Sequence, residues 1–375
     1  MHHPAVLGIL IVAETRRFGN GNHPISKELL MSRDRHPFGL CMYGIQYLVG
    51  AAGRGTPNEN PNALTADEFL RLAVDRGLSS IEVSLPFVSA ALDPGQLREY
   101  AEQARGAGLD VVIAGPNITA TPDLAALIAL ASGMGAKRFR CTGSAVLCGD
   151  RSPVGGFPGW QRHVDNEISI LRDLAPVAEH NDVRVGLENH QDHDSADLLR
   201  ICETVGSEYI GVTLDTGNPI AVGEDPVAFA EKILPFLVDV HLKDYRMINT
   251  PHGFRLVHCA IGSGVVEFRS LWPVLERRPE IPRGIEMAAL SERYIRIFDD
   301  AFWDGFGSRE ARTLAPVMRI ARERGENVDD PAEWQTPLER GAGESTAESA
   351  AKWESKRLED SIRNLAAIAS TAENP

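Results

Sequence analysis

Four successive stretches of this sequence end in side chains that can move a proton or hold a cation. They read Val183-Arg-Val-Gly-Leu-Glu188-Asn-His190, Ile210-Gly-Val-Thr-Leu-Asp215-Thr-Gly-Asn218, Leu237-Val-Asp-Val-His241-Leu-Lys243-Asp244 and Arg283-Gly-Ile-Glu286-Met287. Taken singly, a carboxylate closing a strand caps the next helix or faces solvent, and a lone histidine satisfies a buried hydrogen bond. Four consecutive runs that bring Glu188, Asp215, His241 and Glu286 to one rim ask for more. Three converging carboxylates repel one another where water is scarce, so a cation is the natural neutraliser. Three carboxylates with one imidazole form a hard, oxygen-rich donor set. It suits Mn2+ first, or Mg2+, with Co2+ or Zn2+ as further options, and it lacks the thiolates of a structural zinc site.

The elements that must position these groups follow a βα rhythm. Short β-rich apolar runs alternate with longer helical patterns, the signature of a parallel sheet. The runs are Leu40–Leu48, Ser80–Leu85, Leu109–Ala114, Arg138–Thr142, Val183–Glu188, Tyr209–Asp215, Phe236–Lys243 and Arg283–Met287. Eight is the number that closes a (β/α)8 TIM barrel, whose active site lies at the C-terminal ends of the strands. Helix punctuation agrees. Thr65-Ala-Asp-Glu68 makes a capping box, and Asp93-Pro94 and Thr121-Pro122 each set a capping residue before a proline at the first helical position. Gly77, Gly108 and Gly135 fall near helix ends, where a left-handed residue is wanted.

Two segments exceed the rhythm. Residues 1–39 form an N-terminal extension, and residues 291–348 form an insertion between the eighth strand and a last amphipathic helix over Ser349–Ala369, with Trp353, Leu358, Ile362 and Leu365 on one side. Without them 278 residues remain, close to the roughly 250 of a lone barrel, so residues 40–375 read as one domain carrying that insertion. Met31 opens a more ordinary protein start, which makes the residues before it dispensable. The aromatic cluster Phe298, Phe302, Trp303 and Phe306 is either a flap over the barrel mouth or a small helix packed outside.

Composition narrows the chemistry. Thirty-eight Lys and Arg against 52 Asp and Glu leave a net charge of −14, which repels nucleic acid and anionic lipid. Five scattered cysteines with no C-x-x-C pair fit a reduced cytosol. The apolar run Ala5–Ala13 is too short to span a bilayer and follows no basic residue. No serine or cysteine nucleophile stands at a base's spacing, and no dinucleotide fingerprint follows the first strand. Gly262 and Gly264 read as a turn before the seventh helix, not as a phosphate cradle.

Glu188-Asn-His, Gly-Val-Thr-Leu-Asp215-Thr-Gly-Asn, Val-His241-Leu-Lys-Asp and Ile-Glu286 resemble the signature strands of the xylose-isomerase-like TIM-barrel family, which includes sugar isomerases, ketose 3-epimerases and endonuclease IV. The resemblance implies that Glu188, Asp215, His241 and Glu286 bind one divalent ion, and that Glu188 and Glu286 move protons on opposite faces of the substrate. An ion chelated by a sugar's carbonyl and adjacent hydroxyl acidifies the α C–H and stabilises an enediolate. Two flanking carboxylates can then return the proton to the other face or to the neighbouring carbon. Epimerisation, isomerisation, β-elimination and decarboxylation of a β-keto sugar share this intermediate.

Departures from the family pattern choose among branches. The endonuclease branch has a histidine where Asn218 stands and an Asp-x-His pair absent after His241, so DNA repair falls behind sugar chemistry. Epimerases often carry that histidine too, which argues against a simple monosaccharide 3-epimerase; Asn218 can still hydrogen-bond a hydroxyl. Lys243, two residues beyond His241, faces the same interior, where it either assists an enolate oxygen or pairs with a neighbouring acid. His190 repeats the offset after Glu188 and could touch substrate, as could His193. Arg138 or Arg140 could bring a cation to the mouth. Arg246 and Arg255 flank a long loop after the seventh strand and could hold an anion. Glu82 and Asn117 are candidate partners for sugar hydroxyls. The expectation is a metal-dependent sugar isomerase or epimerase working through a metal-bound enediolate. The alternative is a lyase on oxidised sugars, a 3-oxo-glycoside deglycosidase or β-keto-sugar decarboxylase. Its partners would be a small-molecule sugar and, by family default, further copies of itself.

Overall fold

The computed structural model of this chain describes residues 35–372, apart from 57–58, 86–93, 288–291, 330–333, 338 and 340–346. Met31 and most of the N-terminal extension lie outside the described residues, as does Asp93. Eight parallel strands close into a barrel: β1 (Gly39–Cys41), β2 (Ser80–Ser84), β3 (Asp110–Asn117), β4 (Arg138–Thr142), β5 (Arg184–Glu188), β6 (Ile210–Asp215), β7 (Leu237–Leu242) and, as the eighth barrel strand, β10 (Arg283–Ile285). They pair in sequence order, and β10 closes the ring against β1 through Gly39↔Gly284 and Leu40↔Ile285. Strands covered by helices outside and filled with side chains inside are buried on both faces. In β7, accordingly, all six residues are buried. Val238, Val240 and Leu242 alternate with Asp239 and His241, and the latter pair meets the other barrel acids.

Among the described residues the predicted helix signals hold with one shift. Thr65 and Glu68 form the reciprocal capping box of α1 (Ala66–Asp75), and Gly77, Gly108 and Gly135 all adopt positive φ. The cap expected at Thr121 falls instead on Asp123, whose carboxylate accepts the Ala126 N–H at 3.1 Å and starts α3 (Leu124–Gly133) after α2 (Pro94–Gly106). A carboxylate placed after the proline is the stronger acceptor for the helix's first free N–H groups. The remaining shell helices are α4 (Gly156–Asn181), α5 (Ser195–Val205), α6 (Pro226–Ile233) and α7 (Phe268–Leu275).

Three expectations need correction. The run Leu40–Leu48 is not one strand: it leaves the sheet at Cys41 and turns into a 3-10 segment, Met42–Ile45, whose apolar Met42 and Ile45 are buried outside the sheet. The loop expected after β7 is a hairpin, β8 (Tyr245–Thr250) and β9 (Gly253–His258), joined by β11 (Arg293–Ile295) in an antiparallel sheet. Arg246 and Arg255 therefore sit within strands instead of flanking a loop. Gly262 and Gly264 do form a turn before α7, and that turn wraps Asp244: its carboxylate accepts the N–H groups of Tyr245, Gly262, Gly264 and Val266 at 2.8–3.0 Å. A Cβ on Gly264 would collide with that carboxylate.

The insertion carries α8 (Asp300–Trp303) and α9 (Ala311–Arg324). Phe302 and Phe306 are buried while Phe298 is 51% exposed. Phe302 packs on Gly149 and Trp303 nears Gly223, so the cluster rests on loops that follow β4 and β6, on the mouth side. Among the described residues no helix is long and apolar enough to cross a membrane.

The last helix, α10 (Ala347–Ala372), locks the closure between β10 and β1. Leu358, Ile362 and Leu365 are buried, and the buried Glu354 accepts the N–H groups of Tyr47 at 3.2 Å and Leu48 at 2.7 Å. Replacing Glu354 with Ala strands both donors and is expected to cost about 2–4 kcal/mol, read by urea unfolding. Burial also pushes the Glu354 carboxyl up to about 7 from its ordinary 4.5. The folded state thus holds this proton more tightly than the unfolded chain. Its contribution is complete below about pH 4.5 and is lost as pH rises through 7. A Glu354→Gln variant should lose that fall in stability; an unchanged pH profile would refute the assignment.

Candidate metal centre and active site

The barrel mouth gathers one ionisable group from nearly every strand. Each rises from a strand's interior-facing positions, so the period-two alternation that makes the barrel also makes the site. Single ligand atoms of Glu188, Asp215, His241 and Glu286 all lie within 4.8 Å of one another, and all four residues are buried. Asp215 and His241 are direct neighbours in the β6–β7 register. Glu286 stands one residue past β10, with its N–H on the Leu242 carbonyl. His241 Nε2 lies 2.8 Å from Glu82 Oε2, while Nδ1 faces Glu286 at 2.6 Å and Glu188 at 3.4 Å. A proton held on Nε2 by Glu82 would leave Nδ1 as the nitrogen able to meet a metal, the arrangement by which outer carboxylates fix a ligating imidazole.

Two cations answer the acids. Arg140 spans Glu82 at 3.0 Å and Glu188 at 3.5 Å. Lys243 contacts Asp215 and reaches Glu286 at 3.1 Å. These charges decide the ionisation of the site. Burial raises Glu188, but Arg140 and His241 outweigh it and hold the carboxyl at about 2. For Asp215 burial prevails over Lys243, and with Glu286 and Glu188 nearby it is pushed up to about 7. Burial would lower His241, yet Glu82, Cys41 and Glu286 carry it well above its ordinary value. Asp215 Oδ2, His241 Nδ1 and Glu286 Oε2 sit close to opposite charge but make no directed hydrogen bond among the described residues. Two carboxylate oxygens and one imidazole nitrogen converging in one dry cluster are a donor set that fits a hard divalent cation.

The other expected site residues divide. Glu82 and Lys243 belong to the cluster. His190 is half-buried, and its charge bears on Glu188 and Asp192. Asn218 is buried and occupied: it donates to the Asn189 carbonyl at 3.0 Å and accepts from Tyr245 at 3.1 Å and Gln191 at 3.2 Å. Asn117 is used in a local turn, accepting from the Thr119 N–H and hydroxyl. Arg246 is paired with Glu326 at 2.7–2.9 Å and stacked on Trp334. Arg255 lies near Glu292 and Glu339, both at 3.3 Å. His193 is clamped between Asp192 at 2.9 Å and Glu167 at 2.8 Å.

Sequence reasoning did not find the support beneath the site. Asn189 pairs both ways with the Asp215 backbone, at 2.7 and 3.0 Å, and Thr216 bridges to Lys243 by two 2.8 Å hydrogen bonds. These side chains continue the sheet's ladder past the strand ends, which explains the Glu-Asn-His and Asp-Thr-Gly-Asn spacing. Cys41, Glu82 and His241 form a second group with metal-ligand spacing. Burial and Glu82 push the Cys41 thiol upward, so its thiolate is disfavoured.

Comparison with known proteins agrees with this fold. The chain is 22% identical over 213 residues, 56% of its length and 73% of the relative's, to a 3-oxo-isoapionate decarboxylase of Pectobacterium atrosepticum. Among solved structures, a xylose isomerase-like TIM-barrel protein from Mycobacterium smegmatis, in complex with magnesium, superposes with a TM-score of 0.50 at 18% identity, covering 76% of this chain and 96% of that one. The probable 3-DHS dehydratase AsbF of Bacillus anthracis gives 0.50 at 14% identity, over 77% and 99%. Both share the fold. The xylose isomerase-like TIM barrel profile spans residues 70–290, more than half of the sequence, and this chain belongs to that family.

Proposed function

We propose that this chain is a divalent-metal-dependent enzyme of sugar chemistry, in which Glu188 and Glu286 shuttle protons through an enediolate. The observation that carries this reading is the presence of both glutamates in the four-residue cluster, each beside its own cation: Arg140 for Glu188, Lys243 for Glu286. An ion held by the four would supply Lewis acidity at a sugar's carbonyl and adjacent hydroxyl. The protein's own groups do the rest. Glu188, kept ionised by Arg140, is a base ready to take an α-proton. The same carboxylate returning it to the neighbouring carbon isomerises the sugar; delivery from the opposite face by Glu286 epimerises it. Lys243 can donate a hydrogen bond to an oxygen that gains charge on the way. The substrate is a small sugar or oxidised sugar, in keeping with the −14 charge that disfavours nucleic acid and anionic membrane.

A second reading, a lyase at the same site, is favoured by the decarboxylase among the relatives. Loss of carbon dioxide from a 3-oxo acid leaves an enolate that the same Lewis acid and Lys243 would stabilise.

Two measurements test the proposal. Calorimetric titration with MnCl2 should show one site per chain, lost in Asp215→Asn. Lys243→Met should lose about 3–5 kcal/mol of stability in EDTA, since it leaves buried carboxylates uncompensated, and recover most of it with Mn2+. If Mn2+ brings no recovery, Lys243 is a structural ion pair and the metal assignment fails. For the reaction, the Mn2+-loaded protein is incubated in D2O with ketoses, 3-oxo-glycosides and sugar acids and followed by NMR. Deuterium entry at the α-carbon, or cleavage, is expected, with Glu188→Gln slower by about 10²–10⁴-fold. The enediolate reading falls if no compound exchanges or is cleaved while Glu188→Gln binds metal like the parent. Cleavage of an abasic DNA duplex instead would assign the chain to the repair branch.

A further inference from the structure

The other edge of the His241 ring meets a second donor set, softer than the first. Cys41 on β1, Glu82 on β2 and Asp239 with His241 on β7 are each no more than 3% exposed. Ligand atoms of Cys41, Glu82 and His241 lie within 4.8 Å of one another. The register of the barrel explains how they meet. Cys41 pairs with Glu82 across β1 and β2, while His241 pairs with Gly284 of β10, the strand between β7 and β1. Gly284 puts no side chain between them, and a Cβ there would lie 2.4 Å from the Cys41 sulfur. A thiol and an imidazole two strands apart can therefore approach each other.

The ring presents a different nitrogen to each set. Nδ1 faces Glu286 and Glu188, whereas Nε2 faces Glu82 Oε2 at 2.8 Å and Asp239 Oδ2 at 3.6 Å. Asp239 Oδ2 is buried and makes no directed hydrogen bond among the described residues, so a bare acceptor points at that nitrogen. Glu82 gives Oε1 to Arg140 at 3.0 Å, which lets Oε2 bind an ion while that pair stays. One thiolate, one imidazole and two carboxylates supply the four protein ligands of a closed zinc site. Around such an ion, bonds of about 2.0–2.3 Å set ligand atoms roughly 3.3–3.7 Å apart. The Asp239 contact already has this spacing, and the Glu82 contact would open by about half an ångström.

We propose that Cys41, Glu82, Asp239 and His241 Nε2 form an inner site for a thiophilic divalent ion such as Zn2+, antagonistic to the hard ion of the outer cluster. An ion bound there replaces the thiol proton and the Nε2 proton, both of which leave to solvent. A neutral imidazole has a single lone pair. With Nε2 on the inner ion, the ring's remaining proton sits on Nδ1, facing Glu286, and the outer cluster loses its nitrogen ligand. Sulfur selects the soft ion, and the oxygen-rich outer set selects the hard one. The antagonism rests on the metal reading of the outer cluster; the inner site itself does not.

Cd2+ is the probe, because a bound thiolate gives it an ultraviolet charge-transfer band that oxygen ligands do not. The metal-free full chain is titrated with CdCl2 both as folded protein and after refolding from urea with CdCl2 present, since the site lies beneath the mouth. By at least one route, one equivalent per chain should develop the band. Cys41→Ala should abolish it. Asp239→Asn should weaken Cd2+ by at least the about tenfold that even an outer partner of a ligand is worth. Both variants should keep the parent's far-ultraviolet circular dichroism, and Cys41→Ser serves if Cys41→Ala does not fold. Saturating MnCl2 should raise the parent's Cd2+ midpoint about tenfold or more. No band by either route, a band that survives loss of Cys41, or an Asp239→Asn titration like the parent's would each overturn the site. A Cd2+ midpoint indifferent to bound Mn2+ would overturn the antagonism. Those outcomes leave Mn2+ binding and deuterium exchange standing, whereas a Cys41-dependent band without Mn2+ binding would keep the inner site and remove the outer one.

Discussion

The site depends on one constraint: more negative charge than positive is enclosed where water cannot screen it. Glu82, Glu188, Asp215, Asp239 and Glu286 are each no more than 3% exposed. Against them stand Arg140, Lys243 and the imidazole of His241. In such surroundings no member is independent, because removing a partner leaves another charge buried and bare. The ladder of contacts from Arg140 through Glu82 and His241 to Glu286 and Lys243 is the solution to that constraint. The mixed ionisation of the acids, with Glu188 held low and Asp215 raised, is its consequence. The barrel makes the arrangement feasible, since each acid is delivered by a different strand and none has to share a backbone with its rival.

A mouth held together by charge needs loops that do not relax away from it. Gln191 joins three of them: it accepts the Cys148 N–H at 3.1 Å and donates to Asn218 at 3.2 Å and to the Tyr245 hydroxyl at 3.0 Å. Gln191 and Cys148 both adopt positive φ, 67° and 59°, conformations that cost a side-chain-bearing residue on the order of 1–3 kcal/mol each. The surrounding hydrogen bonds sustain this strain, and it lies in the loops following β4 and β5, beside the cluster. Farther out, Arg151 is sandwiched between Trp160 and Phe306, 4.3 and 4.1 Å from their centroids, and paired with Asp197 at 2.6 Å. The aromatic insertion thereby shares the same scaffold as the mouth loops.

Much of this was legible in the residues, for identifiable reasons. Barrel strands announce themselves because burial on both faces leaves continuous apolar runs, and the four candidate ligands are visible because polar groups ending such runs stand out. The hairpin after β7 hid because Arg246, Asn249 and Arg255 interrupt any apolar pattern, and because its third strand is distant in sequence; the Thr250-Pro-His-Gly253 turn was the available signal. The first strand was overread because Met42 and Ile45 are apolar and buried in a 3-10 segment that follows the strand, not in the sheet itself. The residue types offered Arg138 or Arg140 as a cation for the mouth but could not say that Glu82, 58 residues earlier, is the partner of Arg140. Asn218 and Asn117 have the chemistry of hydroxyl binders, yet Asn218 is taken up by Asn189, Gln191 and Tyr245, which only the fold brings close, and the Asn117 side-chain oxygen by Thr119 in its own turn.

The two cations are of different kinds, and the difference bears on how such a cluster can work. Arg140 presents a planar fork to Glu82 and Glu188, a geometry that fixes both acids and cannot be moved without breaking two contacts. Lys243 is a point charge on a flexible stem, resting on Asp215 and Glu286. Two of the four candidate ligands are thus held by a charge that can step aside. A divalent ion held by the four would need those oxygens, and its charge would compensate them in place of the ammonium, with Arg140 and the His241–Glu82 contact left as they are. An arginine in its place would hold the oxygens too rigidly for that exchange, and a neutral residue would leave the metal-free barrel with its central acids unopposed.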